Sequence, residues 1–210
     1  MKTEFEKNNH WDIQKISVTT KRIFMTTLDI EINGFSSVSD KIYFWTATIN
    51  KWFDLLAPDE NKQLIADSLK YLSDGKYITI YAFVIMPNHV HIIWKQNKLN
   101  GKETPKGSFL KYTAHKLLAW LEMKGKSEFY RVERTNKKYE IWQPNSLPIE
   151  IFSLEMAKQK LDYVHYNPVS GKWQLAKDDL SYYYSSARFY ETGIDEFGFL
   201  NNIFADIKGN

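Results

Sequence analysis

From Tyr77 to Lys95 the chain reads YITIYAFVIMPNHVHIIWK. Tyr77 to Met86 is rich in β-branched and aromatic residues, Pro87-Asn88 is a turn signal, and His89 to Lys95 resumes the same character. Two such runs joined by a turn predict a β-hairpin. The run from Ile78 to Met86 is also the longest apolar one, far short of the 18 or so residues a membrane helix needs, so no bilayer-spanning segment is expected.

Working outward, Leu64, Ile65, Leu69 and Leu72 recur at helical spacing between Pro58, which suits a first helical turn, and Gly75, which offers a stop. On the far side, Phe109 to Met123 reads as a helix with Leu110, Ala114, Leu117 and Leu121 on one face. Tyr139 to Gln143 reads as a short strand before a loop carrying Pro144 and Pro148. Leu154, Ala157, Leu161 and Val164 mark a further amphipathic helix, expected to end at Asn167 because Pro168 disfavours helical geometry in the residue before it. Nearer the start, Arg22 to Ile32 reads as a strand followed by a break at Gly34, Ser36 and Ser37, while Ile42 to Phe53 is apolar without a clear period. From Lys172 onward the chain is aromatic and irregular. Strand, helix, hairpin, helix, strand, helix predicts an α+β fold with helices packed on a largely antiparallel sheet.

The 210 residues suit one domain, and 43% hydrophobic with 25% charged residues is a globular composition that excludes collagen-like, coiled-coil and disordered classes. The absence of cysteine removes disulfides, thiolate zinc sites and cysteine nucleophiles, so any metal must be held by nitrogen and oxygen. The opening MKTEFEKNNHW lacks the apolar core of a secretory signal, which leads us to expect a cytoplasmic protein.

A net charge of +3 conceals an uneven distribution. Between Lys95 and Lys138 twelve Lys and Arg face four acids, a net of +8, which leaves −5 for the rest of the chain. Interleaved Phe109, Tyr112, Trp120, Phe129, Tyr130 and Tyr139 give the mixture that neutralises phosphates and stacks bases. The same composition suits a solvated face whose aromatics point into the core. On the first reading, Lys106, Lys111, His115, Lys116, Arg131 and Arg134 are candidate nucleic-acid contacts.

His89 and His91 alternate along the second strand of the hairpin, so both imidazoles face one side, where neutral imidazoles can share a divalent cation. On its own this doublet is a weak signal, since one core histidine and one exposed histidine produce the same pattern. Tyr163 and Asn167, four apart, share a face of the last helix away from its apolar stripe. Two histidines, an amide and a phenol suit phosphodiester transfer, with a metal held by His89, His91 and Asn167 polarising the phosphate. Tyr166 is the rival nucleophile, and Asn167 could simply end its helix. His165 is expected to point away from the site, and Lys160, one turn before Tyr163, to reach phosphate.

These segments resemble the tyrosine transposases. YAFVIMPNHVHIIWK (81–95) is similar to the HUH segment of the small tyrosine transposases of bacterial insertion sequences, and KQKLDYVHYNPVSGKW (158–173) to their tyrosine helix. YYYSSARFY (182–190) resembles a block of the REP-associated branch, with Tyr184 where that pattern has tryptophan, and SFLKYTAHKL (108–117) lies between. The resemblance runs from about Arg22 to Tyr190 and implies an N-terminal extension over 1–20, a transposase domain over 21–190 and a tail over 191–210. It implies a ferredoxin-like, RRM-like α/β sandwich acting as monomer or homodimer on single-stranded DNA that bears a hairpin or palindromic, REP-like element. Tyr163 would be the nucleophile forming a 5′-phosphotyrosine link, His89 and His91 the HUH ligands, and Asn167 the third ligand, a glutamine in some relatives. The metal implied is Mg²⁺ or Mn²⁺. Readings from other classes are a hairpin-binding protein that does not cleave, an RNA-binding α/β module, and a replication nickase with the same chemistry.

Overall fold

The structure, a computed structural model, describes residues 40–144 and 146–207. The strand expected over Arg22–Ile32 and the N-terminal extension lie outside the described residues. The elements run β1 (Ile42–Thr48), α1 (Asp59–Asp74), β2 (Ile78–Ile85), β3 (His89–Gln96), α2 (Pro105–Met123), β4 (Arg131–Arg134), β5 (Lys137–Tyr139), β6 (Ile149–Ile151), α3 (Leu154–Tyr166), α4 (Ala187–Thr192) and α5 (Ile203–Asp206).

The hairpin forms as its sequence predicts, with β2 and β3 antiparallel and closed by Met86 N–H donating to the His89 carbonyl at 2.8 Å. Only Thr79 and Lys95 escape full burial in these two strands, the mark of a sheet covered on both faces. The four-stranded sheet has the order β2-β3-β1-β6, every pair antiparallel. Helix α1 carries the chain from β1 across β3 to β2, and α2 precedes β6, which is the ferredoxin-like arrangement.

Alternation along the strands divides the residues between two layers. Trp45 of β1 stacks on Trp94 of β3 at 5.0 Å and meets Phe109 of α2 edge-on at 5.9 Å, so α2 lies on that face. Helix α1 packs against both α2 and β2. Phe44, one residue from Trp45, faces the other way, with Tyr163 of α3 at 5.8 Å and His91 at 5.3 Å. The histidine face therefore belongs to α3, whose Ala157, Leu161 and Val164 are buried.

Helix α1 matches its predicted span. Gly75 follows it because a Cβ there would come within 2.3 Å of the Tyr77 ring, while the left-handed residue is Lys76 at φ 58°. Helix α2 begins a turn before the expected Phe109, because Thr104 caps it through a bond from Gly107 N–H at 3.1 Å, which apolar periodicity does not report. Its buried stripe is Phe109, Thr113, Leu117 and Leu121, with Leu110 and Ala114 at the edge. The strand expected over Tyr139–Gln143 is corrected: β5 pairs with β4, and Trp142 only bridges to Ile49.

The aromatic stretch after Lys172 covers the outer edge of β2. Ile85 N–H donates to the Tyr184 carbonyl at 2.9 Å and Phe83 N–H to Ser186 Oγ at 3.0 Å. Tyr182 and Tyr190 donate their hydroxyls to the carbonyls of Ile85 and Tyr81. Beyond Tyr190, where a tail was expected, Phe199 and Ile203 are buried in the core. Among the described residues no helix is long and apolar enough to cross a membrane.

Candidate functional site

His89 and His91 open onto a cleft of about 520 Å³ between the sheet and α3. Their rings are 4.6 Å apart, and the Tyr163 ring lies 5.1 Å from His91. Each histidine is oriented from behind. His91 sits directly across the ladder from Thr46, whose Oγ1 is 2.7 Å from its Nδ1. His89 Nδ1 lies 2.7 Å from Asn88 Oδ1, and Asn88 Nδ2 donates to the Trp52 carbonyl at 3.2 Å, which holds that oxygen toward the ring. An acceptor at Nδ1 keeps the proton there, so Nε2 of His89 presents a lone pair to the cleft.

Asn167 keeps helical backbone angles, φ −53° and ψ −45°, in spite of Pro168, and so stays on the Tyr163 face of α3. Its Nδ2 lies 3.3 Å from His91 Nε2, while its Oδ1 is buried without a hydrogen-bond partner. The amide therefore bridges the tyrosine helix and the histidine strand.

Burial dominates the electrostatics. It pushes His89 down to about 4, opposed by an Asn167 contact that favours the protonated ring, with Lys172 adding to the downward shift. Burial, then His89 and Lys160, carries His91 well below its ordinary value. Both imidazoles are neutral at physiological pH, the state in which they bind metals. Burial raises the Tyr163 phenol above 10, partly offset by the hydrogen bond with Asn167, so this hydroxyl needs help to ionise.

A divalent cation fits this donor set. Two neutral imidazoles stand beside an amide whose oxygen is buried without a hydrogen-bond partner. Among the described residues no group of three His, Asp or Glu side chains is placed to hold a metal.

Tyr166 is exposed and does not line the cleft, whereas Tyr163 does. His165 turns away, with Nε2 2.8 Å from Ser186 Oγ. Lys160 stands over the Phe44 ring at 5.0 Å, close enough to depress His91.

The other basic candidates are not gathered here. Helix α2 occupies the opposite face of the sheet, and with it Lys111, His115 and Lys116, which border a separate hollow of about 260 Å³. Lys111 pairs with Glu103 at 2.6 Å, Arg131 with Glu128 at 3.1 Å, and Arg134 with the buried Glu140 at 3.5 Å. Lys106 donates to the Ser146 carbonyl and lies over Trp45. Among the interleaved aromatics, Phe109 and Tyr130 are core residues, while Tyr112 and Phe129 are exposed.

The sequence reading missed Thr46, Asn88, Trp52, Lys172 and Trp173, all of which line or support the cleft. Asn88 adjoins His89 and was visible only as a turn residue, and Thr46 is identified only once the register of β1 on β3 is known.

No protein-family profile and no curated protein matches the chain. Among solved structures, a REP-associated tyrosine transposase bound to a REP hairpin is similar, with a TM-score of 0.52 and 18% identity over 79% of this chain and 88% of that one. At that identity the likeness shows a shared fold, an α+β sandwich with helices packed on an antiparallel sheet.

Proposed function

We propose that the chain is a metal-dependent transesterase that cleaves and rejoins hairpin-bearing single-stranded DNA through Tyr163. The observation that carries this reading is the convergence of Tyr163, His89, His91 and Asn167 on one cleft within one chain. The fold shared with a transposase bound to a REP hairpin supports a DNA hairpin as the partner.

In the reaction the Tyr163 Oη attacks the scissile phosphorus and forms a 5′-phosphotyrosine ester. The P–O bond to the 3′ oxygen breaks, and that oxygen leaves as a 3′-hydroxyl after taking up a proton equivalent to the one the phenol loses. Attack by a 3′-hydroxyl on the ester reverses the step and rejoins the strand. His89, His91 and the Asn167 oxygen would hold Mg²⁺ or Mn²⁺, which supplies a Lewis acid for the phosphate oxygens. Asn167 also partly offsets the rise that burial imposes on the phenol's pKa.

Incubation with Mn²⁺ and hairpin-bearing single strands should give a covalent adduct on a denaturing gel, lost in Tyr163→Phe and kept in Tyr166→Phe. An adduct of equal yield from Tyr163→Phe refutes the assignment. Hairpin binding that is unchanged in EDTA, with no strand cleaved, would instead support a protein that binds without cleaving.

A further inference from the structure

Two indoles share the cleft with His89. The Trp173 ring centroid is 6.0 Å from the imidazole and that of Trp52 is 6.3 Å away. Trp52 is 59% exposed, a large apolar ring left in water beside buried histidines. The backbone that holds it there is unusual. Lys51 and Trp52 are consecutive non-glycine residues with φ of 57° and 59°, in the left-handed region that bulky side chains rarely occupy.

This turn is tied down from three directions: Asn50 N–H donates to the Ile141 carbonyl at 2.7 Å, Lys51 Nζ to the Phe129 carbonyl at 2.9 Å, and Asn88 Nδ2 to the Trp52 carbonyl at 3.2 Å. Packing does not account for a strained turn that presents an indole to solvent, since the ring is not withdrawn from water. Such strain collects at ligand sites.

Trp173 arrives from the opposite side of the chain. The turn after α3, with Gly171 at φ 56° and Trp173 N–H donating to the Ser170 carbonyl at 3.2 Å, folds Lys172 and Trp173 back over the histidine strand. The exposed Lys172 ammonium lies 4.8 Å from the Trp173 ring. A flat π-system beside a cation matches a ligand made of flat rings joined by anions.

We propose that Trp52 and Trp173 stack the bases of unpaired nucleotides passing through the histidine cleft, with Lys172 facing the adjoining phosphate. This rests on the DNA reading above and adds which residues grip the strand. Indole faces accept any base, so the grip is tolerant of sequence, and it excludes duplex, whose base faces are already covered.

The test is fluorescence anisotropy of the full chain with a labelled 20-mer of oligothymidylate in EDTA at low salt. Trp52→Ala and Trp173→Ala are each expected to weaken binding by about 5- to 150-fold, the range of lost base–aromatic stacking, while Trp52→Phe stays close to wild type. An abasic 20-mer of equal charge, which needs no variant, should bind wild type at least as weakly as either alanine variant binds oligothymidylate. Equal binding of the abasic strand, or unchanged binding by both alanine variants, overturns the proposal. If the Tyr163 adduct still forms in that case, the transesterase reading survives. Stacking-dependent binding without an adduct from any strand keeps this proposal and removes the transesterase reading.

Discussion

The buried Oδ1 of Asn167 accepts no hydrogen bond, although an orphaned polar atom in an interior costs about 1–3 kcal/mol. A cation would satisfy it. Because the three donors are all neutral, a carboxylate in place of the amide should strengthen metal binding: Asn167→Asp is expected to lower the Mn²⁺ dissociation constant at least about tenfold by calorimetry, a gain near 1.4 kcal/mol. An unchanged constant would show that position 167 is not a ligand. The pairing of Tyr163 with Asn167 was legible in the sequence because helical spacing is local. The partners behind the histidines were not. Asn88 owes its orientation to the carbonyl of Trp52, 36 residues away, and Thr46 meets His91 only through a cross-strand register.

Helix α3 serves three directions at once, with Leu161 in the core, Tyr163 in the cleft and His165 against Ser186. Burial pushes His165 down to about 4, with Asp179 opposing the shift. An unfolded histidine titrates near 6.5, so between pH 6.5 and 4 the unfolded chain binds the extra proton and stability falls as pH falls. The slope is at most about 1.4 kcal/mol per pH unit for each such histidine. His89 and His91 add to it in the same direction. Urea melts at pH 7, 6 and 5 should show steady loss below 6.5, with one proton's worth of slope removed in His165→Asn. A wild-type midpoint flat to pH 5 would contradict the buried neutral state. The long periodic elements α1, β2, β3 and α3 were readable, whereas β4, β5 and β6 were not. Strands of three or four residues cannot display alternation, and RVER from Arg131 to Arg134 reads as a charge run.

Across the whole molecule, Tyr163 and the histidines belong to the same chain, 5.1 Å apart at His91. A site complete within one chain gains nothing from a partner's tyrosine. Mixing His91→Ala with Tyr163→Phe should therefore restore no adduct, and recovery of a substantial fraction of the wild-type yield would show exchange between subunits. The charge distribution is the part of the molecule that sequence order misrepresents. The net of +8 from Lys95 to Lys138 lies between the histidine strand and the tyrosine helix in sequence, yet α2 places much of it on the opposite face, and Glu103, Glu128 and Glu140 pair with several of its cations. Among the described residues Lys160 and Lys172 are cations near the cleft, and no local excess of charge marks them. The covering of β2 by residues 182–190 bears on how the chain is made. The segment that seals that strand is synthesised about a hundred residues after it, so a nascent chain halted before Tyr182 carries an open row of backbone amides along β2. Such an edge is a template for pairing with another chain; translation through the YYYSSARFY block covers it from Phe83 to Ile85, and Asn201, later in the chain, reaches the Ile80 carbonyl.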